Sequence, residues 1–585
     1  MDPKYLNLED LLSRKLFRIP AYQRTYSWQA GQRKDLFDDI RKLSATSDSG
    51  RKHFMATIAC LGGRPVVKLA RTEFEDLDVV DGQQRLTSLI ILLKCVELRL
   101  KALPEGADGH ALDVTESAAH LERILVKPGK EKEVLLQANH DNSHFFRKFL
   151  QDGTIPPADK LVTAADGNLR SACLESVKFI EEYDRGDVGR TLDLSGLLRF
   201  RLTFVFYELE DEATVYRVFE TLNSRGLPVD PLDKCKSVLL GIAAEKGTGG
   251  SDSDPVKELL KTWGSIYRLI GLDEVSGEEA LRFAATLWRT EEISRPPSAA
   301  ESIEIFRKAG LEGGIPALQE TSQLIADVIQ ELRGFLGQPG MTAVTEIAHA
   351  RLLAVAIRLS NLPESEKGLA LEQWERMTFR IFGIYRRDAR TKVGDYTRAA
   401  CKIYRGTVSG AVTRALATVG GDFPASGIGA ALSTKDCYSG WERELRYFMY
   451  RYEEHLSEGA VSTALWKTIW AASPDKTIEH VFPQNPSAAW TPRYEKKTEE
   501  GLISRLGNLV VLSQAANSSA GNQSFAEKKA RYLKEGAAGL RLVAELLDHE
   551  TWGQEEIDTR EKTLIEWAAS RWADIAVDPE PLERS

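Results

Sequence analysis

The sequence predicts an α+β protein of several domains, and three features support this fold class. The chain has 585 residues, more than one hydrophobic core usually organises. Its N-terminal part alternates strand-like and helix-like stretches, whereas its middle has mainly helical apolar spacing. Near the C-terminus, a strand, loop, strand and helix pattern lies among helices. We therefore predict domains at residues 1–245, 255–440 and 441–577, with a linker rich in Gly, Ser and Asp after the first.

The N-terminal elements follow from apolar periodicity and from the residues that interrupt it. Pro20 pushes Ile19 out of the helical region, so an extended segment follows a short first helix. Alternating apolar residues predict strands, and apolar residues three and four apart predict helices. The predicted helices span 7–15, 30–44, a long segment from Leu86, and 212–222, and the predicted strands span 53–61, 77–80 and 201–209.

The composition limits the class of protein. A net charge of −9, from 77 basic and 86 acidic side chains, argues against a basic coat for nucleic acid, although a local basic face acts within about 10 Å. The six cysteines have no Cys-x-x-Cys spacing, which predicts buried, reduced thiols. The N-terminus lacks the apolar core of a signal peptide, and the longest apolar run, 89–93, is too short to cross a bilayer. We expect a soluble, cytoplasmic protein with no membrane contact.

The C-terminal domain carries the most suggestive chemistry, because His and Asn stand where predicted elements meet. Glu479 and His480 lie on a short extended segment that Pro483 ends, and Asn508 and Asn517 flank the next strand. Phosphodiester hydrolysis needs a base and a cation, and histidine, with a pKa of about 6.5, suits the base. Oxygen ligands from Glu and Asn suit Mg²⁺ or Mn²⁺. For His480 alone, a buried structural histidine is the alternative.

This ordered set resembles the His-Me finger, or HNH, nucleases, in the variant attached to GmrSD-like type IV restriction enzymes. The matching pieces are Glu479-His480 with Pro483-Gln484, Gly507-Asn508-Leu509, and Asn517 followed by Phe525 and Lys528. The resemblance implies a ββα-metal nuclease embedded in helices, with His480 as the general base and Asn508 holding the histidine loop. It also implies Glu479 and Asn517 as metal ligands. Lys528, or the lysine after it, would contact the scissile phosphate, and a solvated helix face is the alternative.

A second polar group follows a predicted strand of the N-terminal domain. Asp81 and Gly82 end the strand in a tight turn, and Gln83, Gln84 and Arg85 open the next helix. The first N–H groups of such a helix point outward along its dipole, which favours an anion. Arg85 adds a bidentate phosphate partner, and Asp81 offers oxygen to Mg²⁺ or to a water molecule. The alternative is an ordinary Asp-Gly turn with a surface arginine.

Two further polar segments have the same character. The aromatic segment 19–28 contains Tyr22, Gln23 and Arg24, and a loop between predicted helices carries Asn223, Arg225 and Asp233. A helix cap explains the glycine and the proline of this loop but gives no role to its arginine or aspartate. The three segments together resemble the N-terminal domain of the same GmrSD-like family. That domain has a ParB/sulfiredoxin-like α+β core that binds and hydrolyses nucleoside triphosphate.

The resemblance assigns roles in this domain. Asp81 and Arg85 would take part in the hydrolysis of GTP, ATP or UTP. The nucleotide-binding residues would be Gln83, Gln84, Arg85, Asn223, Arg225 and Asp233, and the residues that sense modified DNA would be Tyr22, Gln23 and Arg24. Within the family, the SspE-like proteins of phosphorothioate-based defence join both domains in one chain. The implied partner is double-stranded DNA that carries a phosphorothioate or a sugar-modified base.

A basic segment in the middle region predicts a further DNA contact. Between residues 376 and 414, ten basic and two acidic residues give a local charge of +8, and three tyrosines are interleaved. Such a cluster attracts phosphates by counterion release and offers rings for stacking. Within it we select Arg386 and Arg387 as DNA contacts. The alternative is a helix pair that forms salt bridges with the acidic stretch 363–375.

These features together predict a modification-dependent DNA endonuclease or nickase of anti-phage defence. Nucleoside triphosphate binding and hydrolysis in the N-terminal domain would regulate the metal-dependent nuclease, and a homodimer is compatible with this function. Two alternatives stay open. The N-terminal domain could bind a partner without hydrolysis, or the chain could be a non-catalytic DNA-binding scaffold.

Overall fold

The computed structural model divides the chain into two compact units. The first comprises Met1–Leu281 and Ala299–Ile329, and the second comprises Arg282–Ser298 and Gln330–Ser585. The predicted middle region is therefore shared between the units, and the three predicted domain borders stay a prediction. The structure describes residues 3–20, 23, 25–46, 50–69, 72–102, 110–127, 133–137, 143–209, 230–246, 255–271, 275–406, 409–433, 436–488, 490 and 492–577.

The first unit contains a mixed β-sheet. Its strands are β1 (Lys4–Asn7), β2 (Lys15–Arg18), β3 (His53–Leu61), β4 (Val67–Leu69), β5 (Thr72–Asp81), β6 (Leu136–Gln137) and β7 (Leu202–Leu209). The strand order is β1-β7-β3-β5-β2-β6, and β4 pairs with β5. β3 is parallel to β7 and β2 is parallel to β5 and β6, whereas β3 and β5 are antiparallel.

A long buried helix forms the centre of the first unit. Gln83–Lys101 has apolar residues on all its faces, and it contacts the helices Ala111–Leu125, Ala164–Asp184 and Val188–Phe200. Among the described residues, the other α-helices up to residue 270 are Leu8–Leu12, Ala30–Ser44, Ser143–Asp152, Pro231–Lys246 and Pro255–Ile270. The next two helices, Gly277–Trp288 and Ala299–Leu336, have residues in both units.

The second unit is mainly helical. Its helices are Thr342–Thr345, Ala348–Leu359, Glu364–Thr378, Val393–Tyr404, Ser409–Gly420, Ile428–Ser433, Glu442–Leu456, Thr463–Ala471, Lys496–Ile503, Gln514–Ala520, Phe525–Lys534, Arg541–Leu547 and Gln554–Arg571. A π-helix, Phe379–Ile384, directly follows Glu364–Thr378. The strands β8 (Ile478–His480) and β9 (Leu509–Val511) form an antiparallel pair, and the helix Gln514–Ala520 follows them.

The α+β class and the multidomain organisation are confirmed, with shifts at several element ends. The helix 30–44 and the strand 53–61 have the predicted bounds. The first helix ends at Leu12, earlier than predicted, because β2 already begins at Lys15. The helix predicted at 212–222 lies outside the described residues. Within the described ranges, no helix is long and apolar enough to cross a membrane. All six cysteines are described, and each is buried and outside any disulfide.

Candidate functional site

The β8–β9 pair positions the histidine that was predicted as a general base. His480 ends β8, opposite Leu509 of β9. Its side chain is 8% exposed, and its ring lies edge-on to the ring of Tyr438, with 4.5 Å between centroids. Gln484 Nε2 lies 3.5 Å from His480 Nε2. Burial, helped by the charge of Lys528, lowers the pKa of His480 to about 4, so the imidazole is neutral at pH 7.

Asn508 fixes the turn that follows this histidine. Its side chain is fully buried, and its Oδ1 accepts hydrogen bonds from Phe482 N at 2.7 Å and from Trp552 Nε1 at 3.1 Å. Its Nδ2 donates to Phe482 O and to Ile503 O, both at 2.9 Å. Because one amide binds the Phe482 residue on both its N–H and its C=O, the turn is held in one geometry.

Glu479 points away from His480, because successive residues of a strand face opposite sides. Its Oε1 accepts hydrogen bonds from Lys528 Nζ at 2.6 Å and from the Tyr532 hydroxyl at 2.9 Å. Lys528 Nζ also donates to His480 O at 2.7 Å. Burial raises the pKa of Glu479 and lowers that of Lys528, while their mutual attraction opposes both shifts. The two residues form an internal ion pair.

The burial of Lys528 contradicts its predicted contact with DNA. The side chain has no exposed surface, so its ammonium does not reach a phosphate. Its neighbour Lys529 also binds the protein, because Nζ donates to Leu547 O at 2.8 Å and to His549 O at 2.7 Å. Both lysines are therefore internal contacts of the helix Phe525–Lys534.

The predicted metal ligands do not form a metal site in this arrangement. The Lys528 ammonium takes the place of a cation beside Glu479. Asn517 Nδ2 donates to Lys476 O at 2.9 Å, a contact with the segment before β8. Among the described residues, no three His, Cys, Asp or Glu side chains are grouped as a metal would require.

In the first unit, Gly82 makes the turn predicted between β5 and the helix Gln83–Lys101. Its φ of 86° lies in the left-handed region. A Cβ at this position would lie 2.4 Å from Ile58 Cδ1 and 2.8 Å from Thr57 O. Both the backbone conformation and the lack of space therefore require glycine here.

The glutamines near this turn bind the protein backbone. Gln84 Oε1 accepts from Ser27 N at 2.8 Å and from Trp28 N at 3.3 Å, and Gln84 Nε2 donates to Thr25 O at 3.0 Å. Gln23 Nε2 donates to Val80 O at 2.6 Å. These bonds bring the predicted aromatic segment against the turn. The predicted Tyr22 and Arg24 lie outside the described residues.

Arg85 also contacts other residues of the protein. Its Nη1 donates to Met55 O at 2.8 Å, and its guanidinium lies 5.8 Å from the centre of the Trp28 ring. Burial lowers the pKa of Arg85, against the charges of Asp39 and Asp81. Arg85 is half-buried. Gln83, next to it, is buried.

Asp233 lies at a cavity of about 480 Å³ in the first unit. The Tyr267 hydroxyl donates to Asp233 Oδ1. The segment that Gln84 binds forms one wall of this cavity through Thr25, Tyr26 and Ser27. The structure therefore brings the downstream aspartate and the upstream aromatic segment to one cavity. The predicted Asn223 and Arg225 lie outside the described residues.

In the basic segment of the second unit, several side chains belong to the interior. Arg380 is 2% exposed and pairs with Asp574 at 2.9 Å, and Tyr396 is fully buried, so neither contacts DNA. Arg376, Lys392 and Arg398 form ion pairs with Glu372, Asp395 and Asp422. The expected cluster of solvent-facing charge is therefore smaller than its composition suggests.

The two arginines selected as DNA contacts have different surroundings. Arg386 has a φ of 52°, and its guanidinium lies 4.8 Å from the centre of the Trp441 ring. Arg387 is exposed, and its guanidinium lies 5.3 Å from the Phe423 ring. Each ring contacts its arginine, but Arg386 is partly buried whereas Arg387 is exposed.

Sequence reasoning missed three residues around the histidine: Tyr438, Tyr532 and Trp552. Tyr532 stands four residues after Lys528, so helical spacing already placed the two on one helix face. Tyr438 and Trp552 are distant in sequence from their partners His480 and Asn508, and no local pattern connects them.

Two family models match this chain, one over the part that contains the Gly82 turn and one over the part that contains His480 and Asn508. Residues 8–240 match the family described as GmrSD restriction endonuclease, N-terminal domain, and residues 426–567 match GmrSD restriction endonucleases, C-terminal domain. The protein is thus a restriction endonuclease of phage defence. The matched parts span more than half of the chain, and the chain belongs to the GmrSD family. A search of curated proteins found no match.

Proposed function

We propose that this chain is a modification-dependent DNA endonuclease or nickase in which an HNH-type site, with His480 as its base, cuts under the control of nucleoside triphosphate turnover. The observation that carries the nuclease proposal is the turn after His480, which the fully buried Asn508 amide holds through two hydrogen bonds to Phe482. Two more hydrogen bonds, to Trp552 and Ile503, fix the amide itself. The imidazole of His480 is neutral at pH 7 and can accept a proton, which supports the role of general base.

In the proposed reaction, a water molecule attacks phosphorus of the DNA backbone. Its proton moves to the neutral imidazole of His480 as the new P–O bond forms. The bond to the leaving oxygen then breaks, and that oxygen takes up a proton. Asn508 contributes by holding the loop, and Gln484 lies beside His480 Nε2, where it restricts how the ring rotates.

A divalent ion, Mg²⁺ or Mn²⁺, is the cofactor that we propose for the nuclease domain, where it would neutralise charge on the phosphate. The arrangement around Glu479 does not fit that ion, because Lys528 and Tyr532 both donate to its Oε1. We therefore assign neither Glu479 nor Asn517 as a ligand, and the proposed mechanism uses only the protein's own groups.

For the N-terminal domain, we propose nucleoside triphosphate binding at the cavity beside Asp233, with GTP, ATP or UTP as the ligand. Tyr26 and Tyr267 line this cavity and offer rings to a base. Asp81 and the half-exposed Arg85 are the residues proposed for hydrolysis, together with Gln83, Asn223 and Arg225 for binding. We also propose a ParB/sulfiredoxin-like core, a modification sensor formed by Tyr22, Gln23 and Arg24, and action on double-stranded DNA in the cytoplasm, with a homodimer as a compatible state.

One observation favours a second function for this domain. The Gln84 amide and the Gln23 amide nitrogen bind backbone groups of the same domain. These hydrogen bonds hold both glutamines in place without a nucleotide, so the glutamines can serve the structure of the domain alone. A domain that binds a partner without hydrolysis is therefore the second candidate.

The test separates the two proposed activities. His480→Ala should abolish DNA cutting and leave phosphate release from nucleotide intact. Asp81→Ala should abolish phosphate release and leave the nuclease chemistry intact, so that cutting no longer responds to nucleotide. The assay combines purified protein, Mg²⁺ or Mn²⁺ and each nucleotide with unmodified, phosphorothioated or glucosylated plasmid, and records phosphate release and plasmid topology. His455→Ala, at an exposed histidine of the same unit, is the control. Loss of both activities from either folded variant contradicts the division of roles, and cutting without any phosphate release supports the second candidate.

A further inference from the structure

The segment Asp436–Trp441 links the basic segment to His480 within the second unit. At one end, Trp441 Nε1 donates to Gly383 O of the π-helix at 2.7 Å, and the Arg386 guanidinium stacks on the Trp441 ring. Near the other end, the Tyr438 ring contacts the His480 imidazole. A short stretch of chain therefore touches the candidate base on one side and the basic segment on the other.

This segment is held in one conformation by its own hydrogen bonds. Asp436 Oδ1 accepts from Tyr438 N at 2.7 Å and from Ser439 N at 3.0 Å. Cys437 N donates to Ser504 O at 2.8 Å. Trp441 N also donates to Tyr438 O at 2.9 Å, so the two aromatic residues are joined within one turn of backbone.

The basic segment that contacts Trp441 has a strained backbone at Arg386. The π-helix brings Gly383 so close to Phe379 that a Cβ would lie 2.5 Å from that ring. Two residues after this helix, Arg386 has the left-handed φ of 52°, which is unfavourable for a residue other than glycine. Such conformations persist where the surrounding structure holds them, and they are frequent at functional sites. Two contacts hold Arg386 here: its guanidinium lies over the Trp441 ring, and its Nη2 donates to Cys437 Sγ at 3.9 Å.

We propose that Arg386 is a positioning residue of the nuclease site: it clamps Trp441, and the segment Asp436–Trp441 thereby holds Tyr438 against the His480 imidazole. This inference rests on the proposed role of His480 as the base. It changes the function expected of Arg386, which serves the site through its ring stack, while the exposed Arg387 beside it meets the DNA phosphate. DNA bound at this loop then lies on the element that orients the base.

The kinetic test separates positioning from DNA binding. Arg386→Lys keeps the charge but loses the planar stack, and it should lower kcat by roughly 10-fold or more with little change in KM for DNA. Tyr438→Leu should have the same effect, and Tyr438→Phe, which keeps the ring, should restore most of kcat. Arg387→Gln should mainly raise KM and reduce the slope of log affinity against log salt by about 1.

A second measurement does not depend on cutting. In protein labelled with ¹³C at histidine Cε1, the His480 resonance carries a ring-current shift from Tyr438 and is assigned by its loss in His480→Gln. It should move in Arg386→Lys and in Tyr438→Leu and stay in place in Tyr438→Phe, while the other histidine resonances report that the fold is intact.

The outcomes distinguish this inference from the proposed function. An unmoved His480 resonance in Arg386→Lys, with a change in KM alone, overturns the positioning role and makes Arg386 a phosphate contact. If His480→Ala cuts DNA as fast as the wild type, the proposed base is wrong, and the positioning role is overturned with it. A normal dependence on His480, with the resonance and kcat changing together in both variants, supports the inference.

Discussion

At the scale of single residues, the candidate nuclease site is built largely from buried polar side chains that bind one another. Asn508 has four hydrogen-bond partners and no exposed surface. Lys528, equally buried, binds Glu479 and the carbonyl of His480. Each of these side chains fixes a neighbour of the imidazole, so the site depends on residues that need not touch a substrate.

Asn508→Ala should destabilise the second unit by about 3 kcal/mol, because it removes four hydrogen bonds, three of which are buried. Asn517→Ala is the matched control: this amide is only partly buried and donates a hydrogen bond to Lys476 O, so about 1 kcal/mol is expected. Urea unfolding followed by tryptophan fluorescence measures both changes. Equal losses in the two variants would show that the Asn508 bonds do not stabilise the turn.

Lys528→Met should cost about 4 kcal/mol, because it leaves the Glu479 carboxylate buried without its partner. The double variant with Glu479→Leu should recover a large part of this loss, since both charges are then absent. Unfolding free energies of the two single variants and the double variant give the coupling. Additive losses of unfolding free energy would contradict the internal ion pair and would mean that Lys528 is exposed.

At the scale of elements, the turn at Gly82 shows how one position sets the geometry of a motif. The left-handed φ aims the chain from β5 into the helix Gln83–Lys101, and the close Thr57 carbonyl leaves no room for a side chain. Gln84 and Arg85 then stand on the first turn of that helix. Their contacts with the aromatic segment follow from this placement.

Gly82→Ala should destabilise the first unit by about 3 kcal/mol, from left-handed strain and from steric overlap with Ile58 and Thr57. Gly63→Ala is a matched control, because Gly63 also has a positive φ, 93°, but a Cβ there meets nothing within 4 Å. It should cost only about 1 kcal/mol. The unfolding free energies of the two variants test this, and equal losses would show that steric overlap at Gly82 does not add to the cost.

The sequence predicted elements where local pattern and burial agree. The helix 30–44 and the strand 53–61 were predictable because their apolar spacing matches the face that each buries. The π-helix Phe379–Ile384 was not, because its register depends on Trp441 and on a close ring contact, neither of which is local. Likewise, charge counting predicted a DNA contact for the segment that contains Arg380, and the family resemblance predicted one for Lys528. Cationic residues are rarely buried unless a partner is present, and both partners, Asp574 and Glu479, are distant in sequence.

At the scale of the whole molecule, the two units differ in the interactions that stabilise each of them internally. The first unit surrounds one long apolar helix with a sheet and further helices. The second packs many helices around buried tryptophan rings, with polar groups enclosed among them. The response to pH should therefore be concentrated in the second unit, where buried histidines occur.

His349 should make the second unit less stable in acid. Burial lowers its pKa to about 4, below the value of about 6.5 in an unfolded chain. As pH falls from 6.5 to 5, the unfolded state binds a proton that the folded state does not, so the free energy of unfolding decreases by about 2 kcal/mol. In His349→Gln this decrease should be smaller by that amount, and in the control His455→Gln it should remain. Urea unfolding at pH 7.5 and 5.0 measures it, and an unchanged acid loss in His349→Gln contradicts the assignment.

The buried cysteines can report how often the core of each unit opens to solvent. Four of the six sulfurs lie in the first unit and two in the second: Cys60, Cys95, Cys173 and Cys235, then Cys401 and Cys437. Alkylating reagents attack the thiolate, and burial raises the pKa of Cys95 and of Cys437 to about 12. Labelling therefore waits for the surrounding core to open. Mass spectrometry of peptides after timed alkylation would then give the rate of opening of each unit separately, without any engineered probe.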